Sequence, residues 1–419
     1  MNPFNPYLVF LAACLLAVRA LAQAPDDQPA AVAQHTPQPA AQFAPMAQLE
    51  LQELADDRTE YTRTILKSLP VDSKATLSID NRFGDVSVSL WDRNEFRVNI
   101  VITSSSKDAN RAKQALNAVQ IDERRDGNAY IFKTMIDSEF EKNQEKNEDG
   151  GTITSSRGEE RTYPNGLKTS WKASRKESNT SLQITYRISM PKANGLTINN
   201  SFGNTIIPDF WAPLSVSSRF GDVTGATLNN ASTKIKASFG NVSIRDVQNG
   251  NVVMSFGDVD INSGNVLSIQ QTYGKLNIGE TNKVDVRTSY TDALIGAVRQ
   301  SGKFKMNYAK QFRVERIGAS ADKIDVEATY SSVALPMQST PNCDFDVTVT
   351  HGGFTYPTLP NLQLLTQPTT PAPPRMPTGI TVTSPPRPAR VRQYVGKVGN
   401  GDGPSIKVVA TYGDVRFNK

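Results

Sequence analysis

Cysteine and histidine are almost missing from this sequence. Two of each occur in 419 residues: Cys14, Cys343, His35 and His351. Cys14 lies in an N-terminal apolar run, which leaves Cys343 alone in the rest of the chain. One thiol cannot close an internal disulfide, so stability has to come from packing and hydrogen bonds. Neither histidine has a zinc-ligating partner four residues away, and no cysteine–histidine nucleophile pair stands out. A G-x-S-x-G elbow and a glycine-rich phosphate loop leading into a helix are lacking too. The sequence therefore names no catalytic, cofactor-binding or metal-ligating residue and implies no cofactor, and a non-enzyme is expected.

Long apolar runs and dense charge of one sign are also scarce. The net charge is +5, the basic residues are scattered, and no basic run is interleaved with aromatics. Nucleic acid is not an expected partner. The three tryptophans, Trp91, Trp171 and Trp211, are dispersed. Edge packing is expected of them rather than a row of sugar platforms. The apolar run Leu8–Val18 is too short to span a bilayer comfortably. Ala20–Ala24 ("ALAQA") follows with the small-x-small pattern of signal peptidase, so residues 1–22 are expected to be a signal peptide, cleaved after Ala22. Leu11–Cys14 ("LAAC") has lipobox form and makes lipidation at Cys14 the competing expectation. The apolar run continues past Cys14, where a lipoprotein turns polar. Either way no transmembrane span is expected in the mature chain. Residues 23–56, rich in alanine, glutamine and proline at their start, are expected to form a disordered tether.

What the chain has in quantity is one repeat. An aromatic followed by a small residue recurs at Phe202, Phe220, Phe239, Phe256, Tyr273, Tyr290, Tyr308 and Tyr330, with Phe83 before and Tyr412 after. From Phe202 to Tyr308 the steps are 18, 19, 17, 17, 17 and 18 residues. A period just under twenty calls for a solenoid. Four residues before the aromatic every repeat is apolar, as at Ile198, Val216, Ile235, Val252 and Ile269. Three and five residues after it stand apolar positions such as Val242 and Ile244, or Val259 and Ile261. β-Branched residues alternating with polar ones are strand patterning. Positions −4 and 0 share one parity, +3 and +5 the other. A straight strand cannot aim both sets inward. Each repeat is therefore expected to be strand, corner, strand around one core, with the aromatic among the inward residues. A lone repeat cannot offset its ordering entropy, so repeats must stack. The expected fold is all-β: a parallel β-solenoid of about 17–19-residue rungs.

The column two residues after the aromatic, Asn204, Asp222, Asn241, Asp258, Lys275, Asp292, Lys310 and Ser332, is polar. No two acids are consecutive, so a catalytic carboxylate pair is not expected there. Weak cross-strand pairing between alternating charges is. The spacing is not that of nonapeptide calcium rolls, so bound calcium is not expected.

The repeats are interrupted. Residues 57–90 hold the first solenoid strands, and residues 91–191 are expected to form an inserted α/β module capping the open end. Within it Glu95–Ser104 alternates as a strand, and Ser106–Gln120 has helical spacing with Ser106 as its cap. A hairpin turns at Asp126-Gly127, Thr180–Pro191 is another strand, and residues 138–179 form a mobile charged loop. The solenoid proper then occupies 192–419, with a proline-rich excursion at 355–392 and a closing repeat at Ala410–Phe417.

The stretches "IDNRFGDVSVSLWD", "INNSFGNTII", "VRTSYTDALIG" and "YVGKVGNGDGPSIKVVATYGDVRF" resemble the bacterial adhesin-like family with β-strand repeats, labelled adhesin domain-containing and of unknown function. The resemblance covers about Thr59 to Lys419. It implies export to the periplasm, outer membrane or cell surface of a Gram-negative bacterium, with no family catalytic residues to place. The expected function is a non-enzymatic envelope protein presenting a surface to an unknown protein or glycan. A carbohydrate-active β-helix enzyme and a structural or regulatory envelope scaffold are the alternatives.

Overall fold

The structure, a computed structural model, describes residues 57–137, 161–162, 168–169, 180–337, 342–366 and 391–418. The described residues all fall in one unit, Asp56–Lys419. The expected signal peptide, Cys14 and tether lie outside the described residues, as do Trp171 and most of the 138–179 loop. The described chain is all-β with a single helix, and its main sheet mixes parallel and antiparallel pairing.

The N-terminal part contains β1 (Thr59–Pro70), β2 (Thr76–Arg82), β3 (Val86–Trp91), β4 (Glu95–Ser106), α1 (Ala109–Asn117), β5 (Val119–Asp126) and β6 (Ala129–Ile136). Two short strands, β7 (Arg161–Thr162) and β8 (Lys168–Thr169), pair with each other, and β9 (Thr180–Pro191) follows. β2 and β3 meet at the Phe83 corner. On one side β6 pairs parallel with β2 and antiparallel with β5. On the other, β9 pairs parallel with β3, then β4 and β1 continue antiparallel. Helix α1 packs against β1, β4, β5 and β9, and β6 and β9 flank the first rung. Asp108, not Ser106, caps α1, its side chain accepting the Asn110 N–H at 2.8 Å. Ser106 instead closes β4 with its side chain buried. The β5–β6 hairpin turns through Gly127 at φ 57°, the positive value a two-residue loop asks of its first central residue.

The repeats form β10 (Gly195–Ser201), β11 (Thr205–Ile207), β12 (Leu214–Arg219), β13 (Val223–Leu228), β14 (Thr233–Ser238), β15 (Val242–Ser255), β16 (Val259–Asn307), β17 (Phe312–Ile317), β18 (Lys323–Thr329) and β19 (Val333–Pro336). Successive rungs pair in parallel and in register: Ile79, Ile198, Val216, Ile235, Val252 and Ile269 lie opposite one another in turn. Every residue of that column is buried, as are Val86, Val223, Val242 and Val259 at +3 and Ile207, Ile244, Ile261 and Ile295 at +5.

Two expectations change. Apart from Phe83, the corner aromatics are not in the core. Phe239, Tyr290, Tyr308, Tyr330 and Tyr412 are exposed, and the inward residue at the corner stands two positions earlier, as at Ala237 and Met254. The reason lies in the backbone. All eleven non-glycine residues of positive φ in the described chain are these corner residues, from Phe83 (63°) to Tyr412 (55°), together with His351 (56°). A left-handed residue swings its side chain out of the strand alternation on which the parity reading depends.

The C-terminal repeat is also misplaced by chain order. It comprises β20 (Cys343–Thr350), β21 (Phe354–Thr355), β22 (Leu362–Leu364), β23 (Val391–Val398), β24 (Ser405–Thr411) and β25 (Val415–Asn418). β24 does not close the end. It slots between β18 and β20, parallel to both, and β25 slots between β19 and β21. The final strands of the chain thus form the next-to-last rung. β23 and β22 add antiparallel beyond β20, so both flanks of the 355–392 excursion carry strand. Residues 367–390 lie outside the described residues.

Candidate interaction surface

The left-handed corner is costly for any side chain, about 1–2 kcal/mol per residue. Two features offset it. The corner N–H groups bond to the next rung, as Phe220 N to Ser238 O at 2.9 Å and Phe256 N to Thr272 O at 2.8 Å. The rings also stack. From Phe83 through Phe202, Phe220, Phe239, Phe256, Tyr273, Tyr290, Tyr308, Tyr330 and Tyr412 to His351, neighbouring centroids lie 4.7–5.2 Å apart with planes within 18°. Ten such intervals make one column about 49 Å long. Aromatic pairs contribute about 0.5–1.5 kcal/mol each beyond burial, comparable to the backbone cost. The small residue that follows is set by the same stacking: a Cβ on Gly257 would lie 1.7 Å from the Gly240 carbonyl oxygen of the adjoining rung.

The column is sealed at its first end, where Phe83 is 8% exposed, and opens along its length to 46–48% at Tyr290, Tyr308, Tyr330 and Tyr412. Stacked rings cover one another's faces. A ligand therefore meets ring edges and tyrosine hydroxyls. His351, which carries no motif in the sequence, ends the column on Tyr412. Its Gly352 neighbour, in the position of the corner glycines, is the signal that marks it as a corner.

The polar column beside the rings is a hydrogen-bond ladder. Each side-chain oxygen accepts the backbone N–H of the same position one rung on: Asp85 from Asn204 (2.7 Å), Asn204 from Asp222 (3.0 Å), Asp222 from Asn241 (2.7 Å), Asn241 from Asp258 (3.2 Å) and Asp258 from Lys275 (2.9 Å). Asp292 and Asp414 do the same for Gln311 and Gly353. These acids serve the backbone of the next rung. Asn and Asp recur because both offer a short side chain with an acceptor oxygen.

The rungs from Phe202 to Tyr308 share a second corner, which no sequence motif marks. Phe210, Leu228, Val247, Val298 and Ile317 fill it with buried apolar side chains. In the two rungs between Val247 and Val298 the place falls to Gly264 and Thr281. Relative to the aromatic this column slips by a residue at Ile317, and it loses its apolar character midway. The surface sinks here into an open groove of about 400 Å³. A Cβ at Gly264 would lie 2.8 Å from the Leu267 side chain. The walls are polar. Ser263 donates to Asp246, Arg299 pairs with Glu280, and Asn282 Nδ2 donates to Asn265 Oδ1 at 2.8 Å. Just beyond, Arg245 bonds to Asp209 at 2.8 Å and to Asp246 at 3.2 Å. The Thr227 backbone N–H, then its hydroxyl, hold the Asp209 carboxyl below the usual carboxylate range, so it stays ionised.

Under the first rung lies a buried polar network. Asn81 Nδ2 donates to the Gly84 and Ile184 carbonyls and to Asn200 Oδ1, and Thr134 bonds to the Tyr186 hydroxyl at 2.9 Å. Burial pushes the Tyr186 phenol up to about 12. Trp91 is held by its own surroundings: its indole N–H donates to Glu95 O, and the Arg97 and Arg93 guanidinium groups lie 4.8 and 5.3 Å from its ring. Cys343 is fully buried. Among the described residues no group of three or more His, Cys, Asp or Glu side chains is placed to hold a metal ion, and no helix is long and apolar enough to cross a membrane.

No family model and no curated protein matches the chain. Among solved structures it is similar to a putative cell adhesion protein from Clostridium sporogenes, at 8% identity and a TM-score of 0.17, covering 85% of this chain and 99% of that one. It is also similar to a putative adhesin from Bacteroides fragilis, at 8% identity and a TM-score of 0.25, covering 85% and 97%.

Proposed function

We propose that this chain is a non-enzymatic, exported β-solenoid that presents one long side to a protein or glycan at the bacterial envelope. The observation that carries the reading is the unbroken column of eleven rings, edge-exposed over its second half, on rungs of fixed spacing. Parallel in-register pairing through the repeats supports the solenoid architecture, with the antiparallel strands acting as covers at its two ends. Exposed acids of the ladder are already engaged with backbone N–H groups, which favours a binding surface over a hydrolytic centre. Export rests on the N-terminal apolar run and small-residue site.

The experiment is capture from the cell-envelope fraction by the purified chain, compared with a Tyr330→Ala, Tyr412→Ala variant. Saturable capture that weakens in the variant is expected. Turnover of polysaccharide by the purified chain, or no capture of any envelope component, contradicts the reading. Surface protease shaving of intact cells separates a surface position from a periplasmic one.

A further inference from the structure

The groove at the second corner is a different surface from the ring column, and its chemistry is more specific. It crosses five successive rungs, and each contributes from the same few positions. Its side chains therefore repeat at the strand spacing, about 4.8 Å. Amides, hydroxyls and carboxylates line it together with one guanidinium group, that of Arg299, so it offers both donors and acceptors. The acids carry partners already, Asp246 with Ser263 and Glu280 with Arg299, which leaves little net field to attract a polyanion or a polycation. The lining lacks the apolar centre that a protein interface needs.

One further residue lies in line. Phe210 and Leu228 are bridged in parallel, and Asn229 N donates to Phe210 O at 2.8 Å. Trp211 is thus the residue one rung before Asn229, the first groove residue of its column. Trp211 is 46% exposed, and no aromatic ring or cation of the described residues lies over it, unlike Trp91. An open indole face followed by a periodic row of polar side chains suits a ligand with an apolar face, hydroxyl edges and a linear repeat.

We infer that this groove, from Trp211 to Arg299, binds a neutral linear polysaccharide laid along the stack of rungs. The inference rests on the reading of the chain as a ligand-presenting protein and adds to the ring column a second face with a ligand of its own. Five rung steps of about 4.8 Å give a track of about 24 Å, enough for several sugar rings. Trp211 stacks on one ring, Asn265 and Asn282 bond hydroxyls of those that follow, and Asp246 and Glu280 accept from hydroxyl groups without losing their own partners.

The test is calorimetric titration of the purified full chain with cellohexaose, xylohexaose and mannohexaose, with dextran sulfate as the polyanion arm. At least one neutral hexasaccharide is expected to saturate. Trp211→Ala is expected to weaken it at least tenfold, as is the double variant Asn265→Ala, Asn282→Ala, with melting temperatures unchanged. Trp211→Tyr, which keeps a ring face, is expected to retain most of the affinity and serves as the folded control. Binding by none of the neutral probes, binding of dextran sulfate alone, or an undiminished affinity in Trp211→Ala overturns the inference. Envelope capture that survives Trp211→Ala but falls in the Tyr330→Ala, Tyr412→Ala variant would then leave the broader reading standing, whereas loss of all capture activity defeats both.

Discussion

At the scale of single residues, the corner positions set up an unusual ordering of substitutions. Phe239 stacks on Phe220 and Phe256 at a φ of 57°. Phe239→Ala removes the stacking and keeps the left-handed strain, whereas Phe239→Gly removes both. The glycine variant is expected to be more stable than the alanine variant by about 1 kcal/mol, the reverse of the usual order in a strand. Urea denaturation of both variants reads this directly; an alanine variant at least as stable as the glycine one contradicts it. The ladder makes a similar distinction. Asp258 accepts the Lys275 N–H, and asparagine keeps an acceptor there, so Asp258→Asn is expected to be nearly silent. Asp258→Ala is expected to cost about 1 kcal/mol, and a large drop in melting temperature for Asp258→Asn would point to a role for its charge. Tyr186 supplies the pH dependence. Its folded-state value is raised from 10.0 to about 12, so its contribution is fully present below pH 10 and is lost as pH rises through 12. That loss amounts to about 2–3 kcal/mol. In an ultraviolet titration Tyr186 is expected to ionise last; its ionisation alongside the exposed tyrosines would contradict its burial. Of these roles only the polar column was visible in the residues. The fact that its oxygens point along the stack to backbone N–H groups depends on corner dihedrals that no side-chain pattern encodes.

At the scale of elements, alternation was a sufficient guide wherever the chain is straight. β4 and β9 lie where Glu95–Ser104 and Thr180–Pro191 alternate, and the columns at −4, +3 and +5 are buried from Phe202 to Tyr290, the inward pair shifting by one residue to Phe312 and Val314 in the Tyr308 rung. The reading fails where straightness fails. Parity placed the aromatic inward because it assumed one bend after it, whereas the bend is at the aromatic itself. The helix start shifted for a local reason, since Asp108 and Ser106 are both good caps and only the length of β4 decides between them. The inward columns carry the main stability prediction. Ile269 is fully buried between Val252 and the following rung. Ile269→Asp buries a carboxylate with no partner and is expected to prevent cooperative folding. Far-ultraviolet circular dichroism through a thermal melt checks it; a native-like transition would show that the column is not a core.

At the scale of the whole molecule, a repeat in the sequence fixes the neighbours of a rung only while the chain advances one rung at a time. That condition holds from Phe202 to Tyr330. It breaks at β20, where the chain leaves room for a rung that it supplies some sixty residues later through β24. Nothing in the spacing of Tyr330, His351 and Tyr412 distinguishes the order observed from simple succession. The groove was hidden for a related reason, because it is made by what two rungs lack at the second corner rather than by a motif they share. What remains is a stack whose register generates every surface discussed: the ring column, the ladder and the groove. Register is therefore the quantity to measure. Lys236 and Val253 lie opposite each other on adjoining rungs, and Gln270 lies opposite Val253 on the rung beyond. Strand spacing puts the first pair about 4.8 Å apart and Lys236 and Gln270 about 9.6 Å apart, so only the first falls within reach of a disulfide. Oxidation of a Lys236→Cys, Val253→Cys double variant is expected to be rapid and complete with the fold retained, while Lys236→Cys, Gln270→Cys stays reduced. Equal crosslinking of the two pairs, or crosslinking of the second alone, would contradict the stacked, in-register arrangement.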